Sequence, residues 1–366
     1  MINPGQAAQA HRRYHDVDTL RFLAAVGVML LHYLARGFSP EDDYSPVFYG
    51  QVANFVKYNY LAVNLFFMIS GFVILMSSED AKPSGFLRSR FLRLYPAYWF
   101  CCTVTFILTY VFVNHIFHLT VARYVLNMSM LNGFFGVGFV DGVYWTLLVE
   151  LKFYLLILLV LLLGKMRNIE WVLAAWLLLS IVQIVLDVNV VEKYLITNFA
   201  SFFIAGCLFY RISKRGFSWS RLILLVLTIP VGIHYEWLAL SERAAHFTGL
   251  VFHGEMVALI CLSFYVLFVL LILPRTTSAS YARFSRLLGS LSYPIYLIHM
   301  NVGMVLFNLI GHRLNKWVLL ALIISVMIAG AYLINRYVER PLAAFLGRHI
   351  PPVPVKEKAP SVAEVT

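Results

Sequence analysis

The sequence predicts an all-α fold: a polytopic transmembrane helix bundle of about ten spans, with both termini in the cytoplasm. Two observations carry this prediction. Of the 366 residues, 61% are hydrophobic and only 13% are charged, which is too apolar for a soluble globular protein. Apolar windows of about 20 residues, the length that a helix needs to cross the hydrocarbon core, recur from one end of the chain to the other.

Each apolar window is taken as one span. The seventh window is short and contains Pro230, so it is the weakest of the set. The ten predicted spans are 18–35, 60–77, 94–113, 143–163, 169–187, 195–211, 221–236, 250–273, 289–310 and 316–335.

The net charge of +11 is high enough to raise the question of a nucleic-acid partner. Its distribution favours membrane orientation instead. If both termini are cytoplasmic, most of the 29 basic residues fall in cytoplasmic segments, as the positive-inside rule requires. We therefore interpret the basicity as an orientation signal and expect no nucleic-acid partner.

Three segments are expected along the chain. Residues 1–16 form a cytoplasmic N-terminal segment, residues 17–345 form the transmembrane domain, and residues 346–366 form a Pro-rich, polar tail that is predicted to be disordered. The four cysteines each fall inside a predicted span and lack metal-ligand spacing, which is typical of small packing residues. No metal site is expected.

The first span, "LRFLAAVGVMLLHYL", contains Arg21 and His32. They are 11 residues apart, so on a helix they share one face and are separated by about 16 Å along the axis. A charge that faces lipid costs several kcal/mol, so this face is expected to point into the bundle. A snorkelling arginine with a hydrogen-bonded core histidine is the structural alternative; we favour a functional pair.

The stretch "FLRSRFLRLYP" places Arg90 and Arg93 three residues apart, on one helix face. Guanidinium groups suit the binding of phosphate oxygens because their donors form a planar fork. Ordinary positive-inside anchoring explains the same residues, and the stretch alone does not exclude it.

The fourth span, "YWTLLVELKFYLL", contains Glu150 and Lys152. Two residues correspond to about 200° of rotation, so the two charges are predicted to point to opposite sides of the helix. Tyr154 shares the face of Glu150 at the i, i+4 position. A carboxylate at this depth indicates a functional site, with a structural interhelical hydrogen bond as the alternative.

Two further stretches carry polar side chains inside spans. Ser70 in "NLFFMISGFVI" is compatible with close helix packing or with a substrate contact. Tyr293, Tyr296 and His299 in "LGSLSYPIYLIHM" form a polar stripe at i, i+3 steps. For this stripe we favour packing residues with satisfied hydroxyl groups over catalytic ones.

Six stretches taken together resemble, in order and spacing, the acyltransferase-3 family of bacterial membrane carbohydrate O-acyltransferases, in the form without an appended soluble hydrolase-like domain. The resemblance covers about residues 16–345. The six stretches are "VDTLRFLAAVGVMLLH", "NLFFMISGFVI", "FLRSRFLRLYPAYW", "YWTLLVELKFYLL", "LGSLSYPIYLIHM" and "YVERPL".

The resemblance implies transfer of an acyl group, usually acetyl, from cytoplasmic acyl-CoA to a hydroxyl of an extracytoplasmic or lipid-linked carbohydrate. It implies a location in the bacterial cytoplasmic (inner) membrane, acetyl-CoA as the donor, and no metal. The family's arginine–histidine motif falls on Arg21 and His32, its arginine pair on Arg90 and Arg93, and its tryptophan, glutamate and tyrosine on Trp145, Glu150 and Tyr154.

This chain departs from many relatives at three positions. Asn64 stands where many have Asp, and Leu151 and Lys152 stand where many have Glu-Gln. These changes bear on which acceptor is used more than on the reaction.

The roles expected from this resemblance can be stated by residue. His32 is expected to act as general base. Arg90 and Arg93, with Arg21, are expected to hold the phosphates of the donor. Glu150 is expected to orient His32 or the acceptor. Tyr154, Trp145 and Ser70 are candidate contacts to the acceptor or the thioester. Direct transfer and an acyl-enzyme route both remain open.

A proton-coupled sugar or lipid transporter is the alternative function, because a carrier also places His, Glu and Arg inside its spans.

Overall fold

The computed structural model describes most of the chain, including every predicted site residue. The predicted N-terminal segment up to residue 13 and the predicted tail from residue 351 lie outside the described residues. The described ranges are 14–35, 47, 49–186, 192–240, 250–273 and 276–350.

The protein is an all-helical, multi-pass membrane protein, as predicted. Within the described ranges, nine helices are long and apolar enough to cross a membrane, and the number rises to ten if a bent pair of helices is counted as one span. The long helices are α1 (His15–Leu34), α2 (Ala62–Ser78), α3 (Pro83–Phe112), α4 (Trp145–Leu162), α5 (Ile169–Leu186), α6 (Thr197–Arg215), α7 (Trp219–Leu238), α8 (Gly254–Ile272), α9 (Ala279–Ile298), α10 (Asn301–Ile310), α11 (Lys316–Ile334) and α12 (Arg340–His349).

Short helical segments connect these long helices. A run of three such segments leads into α2, and a π-helical turn joins α11 to α12. The short segments are Gly50–Val52, Ala53–Val56, Lys57–Leu61, Asn114–Phe117, Val121–Asn127, Asn132–Phe135, Gly142–Tyr144, Met166–Asn168, Glu192–Leu195 and Asn335–Glu339.

Helices α2 and α6 form the closest helix pair of the core because two glycines let their backbones meet. A Cβ at Gly71 would lie 2.1 Å from the carbonyl oxygen of Phe203, and a Cβ at Gly206 would lie 1.9 Å from that of Met68. Any larger residue would push the helices apart. Small residues at membrane helix interfaces allow this kind of approach.

Helix α1 packs along α9 as well as α2, which fixes the helix that carries Arg21 and His32. Gly289 of α9 lies against Asp18, where a Cβ would come within 2.7 Å of the carboxylate carbon. The hydroxyl of Tyr281 donates to Asp16 at 2.6 Å. The arginine–histidine face of α1 is therefore held against the centre of the bundle.

The third predicted span begins 11 residues too late. Helix α3 starts at Pro83 rather than at 94, so Arg90 and Arg93 lie within a continuous 30-residue helix. The arginines lower the local hydropathy and hide this extension from an apolar window. The last span is also longer than predicted, because the π-helical turn and α12 continue α11 to His349, beyond the expected domain boundary at 345.

The ninth predicted span, 289–310, is two helices rather than one. Helices α9 and α10 meet at 67° across residues 299 and 300. Polar groups satisfy the backbone at this break: the Tyr33 hydroxyl donates to the His299 carbonyl at 2.6 Å, and the Asn301 amide donates to Asp141 at 3.1 Å. Such partners let a helix break inside a bundle.

Candidate active site

A cavity of about 320 Å³ lies among α1, α2, α3, α4 and α9. Six of the eight predicted site residues line it, although they come from four separate helices. Those six are Arg21, Ser70, Arg90, Arg93, Glu150 and Tyr154. The lining contains three arginines and one carboxylate, so the cavity is predominantly positive.

Two of the cavity arginines have no carboxylate partner among the described residues. Arg90 donates to the hydroxyl of its neighbour Ser89 at 3.0 Å, and its Nε is buried without a hydrogen bond. Its guanidinium lies 5.8 Å from the ring centre of Phe86 and 5.9 Å from that of Tyr154. Arg21 forms no ion pair within 4 Å among the described residues, but it interacts electrostatically with Glu150 and with Asp18. These two guanidinium groups keep their donors available for an anion.

Arg93 differs from its neighbour Arg90 because it is ion-paired. Its Nη1 lies 2.6 Å from Oε1 of Glu339, which is only 6% exposed. Asn335 donates to the other oxygen of Glu339 at 2.9 Å. The π-helical turn after α11 thus carries a carboxylate that neutralises one of the three cavity arginines. The sequence motif "YVERPL" contains this glutamate.

Glu150 is held by two hydroxyl donors inside the cavity. Ser70 donates to its Oε1 at 2.5 Å, and Tyr154 donates to the same oxygen at 2.7 Å. No described residue bonds to Oε2, so this oxygen can accept a hydrogen bond from a ligand. Lys152 points away from the cavity, donating to the carbonyl of Lys193 at 2.6 Å. The predicted opposite orientation of the two charges is confirmed.

The tyrosines of α9 line the cavity wall and have satisfied hydroxyl groups. Tyr293 donates to the Leu94 carbonyl at 3.2 Å, and its ring centre lies 5.5 Å from the Arg93 guanidinium. The Tyr296 hydroxyl lies 2.7 Å from that of Thr146. Both roles agree with the packing interpretation of this stripe.

His32 is buried but does not line the cavity. Its side chain is 7% exposed, and its ring centre lies 5.3 Å from that of His299. His299 in turn lies 5.6 Å from Tyr296, which does line the cavity. The two imidazoles therefore lie behind the cavity wall, separated from the cavity by Tyr296. His32 lies on the same face of α1 as Arg21, further along the helix.

His299 has a fixed tautomer and an unused ring nitrogen. It is fully buried, and its Nδ1 lies 2.9 Å from the Tyr296 carbonyl and 3.2 Å from that of Ile295. Because carbonyl oxygens only accept, Nδ1 carries the hydrogen and Nε2 presents a lone pair. Nε2 has no hydrogen-bond partner. A buried acceptor without a hydrogen bond lowers the stability of the fold by about 1–3 kcal/mol, so its presence here requires an explanation.

Trp145 lies away from the cavity. Its side chain is 36% exposed, and its ring packs against Phe199 with the ring centres 5.6 Å apart. It stands at the first residue of α4, on the rim of the bundle. Its role as a substrate contact stays a prediction.

A second set of charges, which we call the ion-pair cluster, lies where α2 ends and α6 ends. Arg211 bridges Glu79 and Glu170 at 2.9 Å each. Three more cations complete it at 2.9–3.1 Å; they are Lys214, Arg215 and Arg221. Burial acts to raise the pKa of Glu79, but hydrogen bonds from Tyr210, Lys214 and Arg215 outweigh it and lower that pKa to about 2.

Among the described residues, no group of three or more His, Cys, Asp or Glu side chains could hold a metal ion. The four cysteines are buried and free.

Fold and cavity together define a multi-pass membrane protein with a cationic chamber inside its helix bundle. The chain belongs to the acyltransferase-3 family, since the model of that family's acyltransferase domain matches residues 14–336.

Nodulation protein 10 of Rhizobium leguminosarum bv. viciae is 31% identical to this chain over 170 residues, which cover 40% of this chain and 44% of that protein. The chain thus matches less than half of the length of this curated relative. No solved structure is significantly similar to it.

Two residues of the site stand out only in the structure. Glu339 is 246 residues away from Arg93 in sequence, so no local spacing connects them. The i, i+3 spacing of His299 from Tyr296 is that of an ordinary helix face, so the sequence predicts a packing role for it like that of the tyrosines. The helix break that brings it to His32 lies inside a continuous apolar run.

Proposed function

We propose that the protein is an integral membrane O-acyltransferase. It moves an acyl group, acetyl in the simplest case, from cytoplasmic acyl-CoA to a hydroxyl of an extracytoplasmic or lipid-linked carbohydrate. Its place is the bacterial cytoplasmic (inner) membrane, with both termini in the cytoplasm. Membership of the acyltransferase-3 family supports the reaction class, and the cavity supports the donor.

The observation that carries the proposal is the pair of half-buried cavity arginines, Arg21 and Arg90, that form no ion pair with a described carboxylate. A cation withdrawn from water without an ion-pair partner is costly, and proteins retain such groups where a charged ligand completes them. Arg21 and Arg90 are suited to the phosphates of coenzyme A, because guanidinium binds phosphate through several parallel hydrogen bonds. Arg93 contributes less, since Glu339 already occupies it.

The direction of the acyl arm follows from α1. Arg21 and His32 lie on the same face, about 16 Å apart along the helix. A donor whose phosphates rest at Arg21 and Arg90 extends its pantetheine arm along this face towards the imidazoles. The volume of about 320 Å³ falls in the range of small-ligand pockets and accommodates the arm rather than the whole donor.

His32 acts as the general base in direct transfer. It takes the proton of the acceptor hydroxyl while the hydroxyl oxygen attacks the thioester carbonyl. The new C–O ester bond forms, the C–S bond breaks, and the proton returns from His32 to the departing thiolate. Imidazole suits both proton transfers because its pKa is near neutral.

Glu150 binds substrate rather than orienting His32. Its bonds from Ser70 and Tyr154 fix the carboxylate within the cavity, and they leave Oε2 without a bond from a described residue. The amide hydrogens of the pantetheine arm and the hydroxyl groups of a sugar are both suitable donors to it.

The test uses purified protein in lipid nanodiscs. Acetyl-CoA labelled in the acetyl group is mixed with envelope glycans extracted from cells that lack the protein. We expect release of free thiol together with labelled ester on the glycan, and loss of both in His32→Ala. A transporter releases no thiol from acetyl-CoA under any of these conditions, so that result refutes the proposal in favour of the alternative.

A further inference from the structure

Resting on this proposed function, we infer that His299 is a positioning residue for His32: its Nε2 accepts a hydrogen bond from the His32 ring and holds the base in the productive tautomer. The first step concerns distance. A ring nitrogen lies about 1.1 Å from the centre of an imidazole, so a hydrogen bond of about 3 Å between two rings sets their centres about 5 Å apart. The observed separation of 5.3 Å is close to that value, so a small rotation of one ring would form the bond, which is not made in this structure because His299 Nε2 has no partner.

The second step concerns the protons. The Nδ1–H of His299 is engaged by the carbonyls of Tyr296 and Ile295, so the neutral ring can only accept at Nε2. That nitrogen is fully buried and without a partner. When His32 takes the hydroxyl proton, its ring carries two N–H groups, and the Nε2 lone pair of His299 is close enough to accept one of them.

The third step concerns rigidity. The hydroxyl of Tyr33 donates a hydrogen bond of 2.6 Å to the backbone carbonyl of His299. Tyr33 follows His32 in the chain, so this bond ties the backbone of His299 to the helix that carries His32. Gly303 makes room for Tyr33, since a Cβ there would lie 2.3 Å from the Tyr33 hydroxyl oxygen. The break between α9 and α10 is thereby fastened to the helix that carries the base.

The proton balance of transfer is unchanged. The proton moves from the acceptor hydroxyl to one nitrogen of His32 and then to the thiolate of coenzyme A. His299 stays neutral throughout, and the hydrogen that it receives in the bond remains on His32. This arrangement is the base-and-orienter geometry of other nucleophilic enzymes; such bonds often tighten only when substrate is bound.

Steady-state kinetics with acetyl-CoA and the glycan extract test this role. For His299→Ala we expect kcat to fall about a hundredfold while the KM for acetyl-CoA changes less than about twofold. His299→Gln keeps an acceptor near the Nε2 position, so we expect its kcat to be about tenfold higher than that of His299→Ala. Should the Ala variant not survive extraction, His299→Leu fills the same space without an acceptor.

Tyr144→Phe is the matched control. It removes a buried hydrogen bond of 3.0 Å to the Leu297 carbonyl, so it loosens the same stretch of α9 without touching His32. We expect kcat within about twofold of the wild type.

The outcomes separate this inference from the proposed function. If His299→Ala keeps its kcat, loses no more than Tyr144→Phe, or is not improved by Gln, the positioning role is overturned while transfer by the wild type still stands. If the wild type releases no thiol, the proposed function and this inference fall together.

Discussion

The cavity and the ion-pair cluster use the same residue types in opposite ways. In the cluster, two carboxylates are met by four cations at 2.9–3.1 Å, and Arg211 at its centre is 3% exposed. In the cavity, Arg21 and Arg90 have no carboxylate partner among the described residues. The paired charges of the cluster join helices, and we propose that the arginines without an ion pair in the cavity bind a ligand.

This difference shows where burial of charge serves stability and where it serves function. Breaking a buried pair leaves an uncompensated charge and destabilises the fold. A cation without a partner destabilises the ligand-free protein because it has lost part of its hydration, and a bound anion offsets this cost. Removing such a cation should therefore not destabilise the fold. The same substitution should therefore act on stability in one region and on binding in the other.

The largest expected effect lies on the cavity side, at the base. His32→Ala should lower the rate of acetyl transfer about a thousandfold, because the imidazole that takes the hydroxyl proton is lost. The measurement is thiol release in nanodiscs, with the elution volume of the protein as the check on folding. Turnover near that of the wild type would refute the assignment of the base.

Arg211→Met should produce the largest change in stability. It leaves Glu79 and Glu170 short of their shared partner, at an expected cost of about 3 kcal/mol. Thermal unfolding in detergent measures it. The matched variant is Arg90→Met, which breaks no ion pair and should leave the Tm unchanged or higher. Equal losses of stability at the two positions would remove the distinction between the regions.

Glu339→Gln sharpens the comparison because Arg93 lines the cavity and yet is ion-paired, as the arginines of the cluster are. Removing this carboxylate adds one net positive charge beside the cavity, so we expect the KM for acetyl-CoA to fall about threefold, with a steeper dependence on salt. Kinetics at two ionic strengths measure the change. A KM that rises instead would show that Glu339 serves the donor site by positioning Arg93.

The smallest expected effect is a dependence on acid. The pKa of Glu79 is lowered from its ordinary 4.5 to about 2, so its ionised form stabilises the fold above about pH 4.5. This contribution is lost as the pH falls from 4.5 towards 2. The difference in Tm between the wild type and Glu79→Gln should shrink across this window. A constant difference would contradict the assignment.

The sequence predicts the class of fold because the signal of a transmembrane helix is strong. A continuous apolar run has a required length, and the ten predicted runs agree with the nine to ten candidate spans of the described residues. Boundaries failed where charge interrupted the run: α3 begins at Pro83, since Arg88, Arg90 and Arg93 lower its hydropathy within a true helix. The helix break after Ile298 was not predicted, because the apolar run of the ninth predicted span continues across it without interruption.

The candidate site was predictable in composition but not in its pairings. Helical spacing correctly separated Glu150 from Lys152 and joined Glu150 to Tyr154, since those relations lie within one helix. Helical spacing does not predict which residues of two different helices touch each other. The bond from Ser70 to Glu150 and the pairing of Arg93 with Glu339 depend on tertiary packing, as does the placement of His32 beside His299.

The central claim is that the unpaired arginines of the cavity hold the donor. Equilibrium binding of coenzyme A to the wild type, Arg90→Gln and Arg215→Gln tests it, because the two variants lose the same charge in the two regions. We predict that Arg90→Gln weakens binding about thirtyfold while Arg215→Gln changes it less than about twofold. Equal affinity in all three proteins would contradict the account.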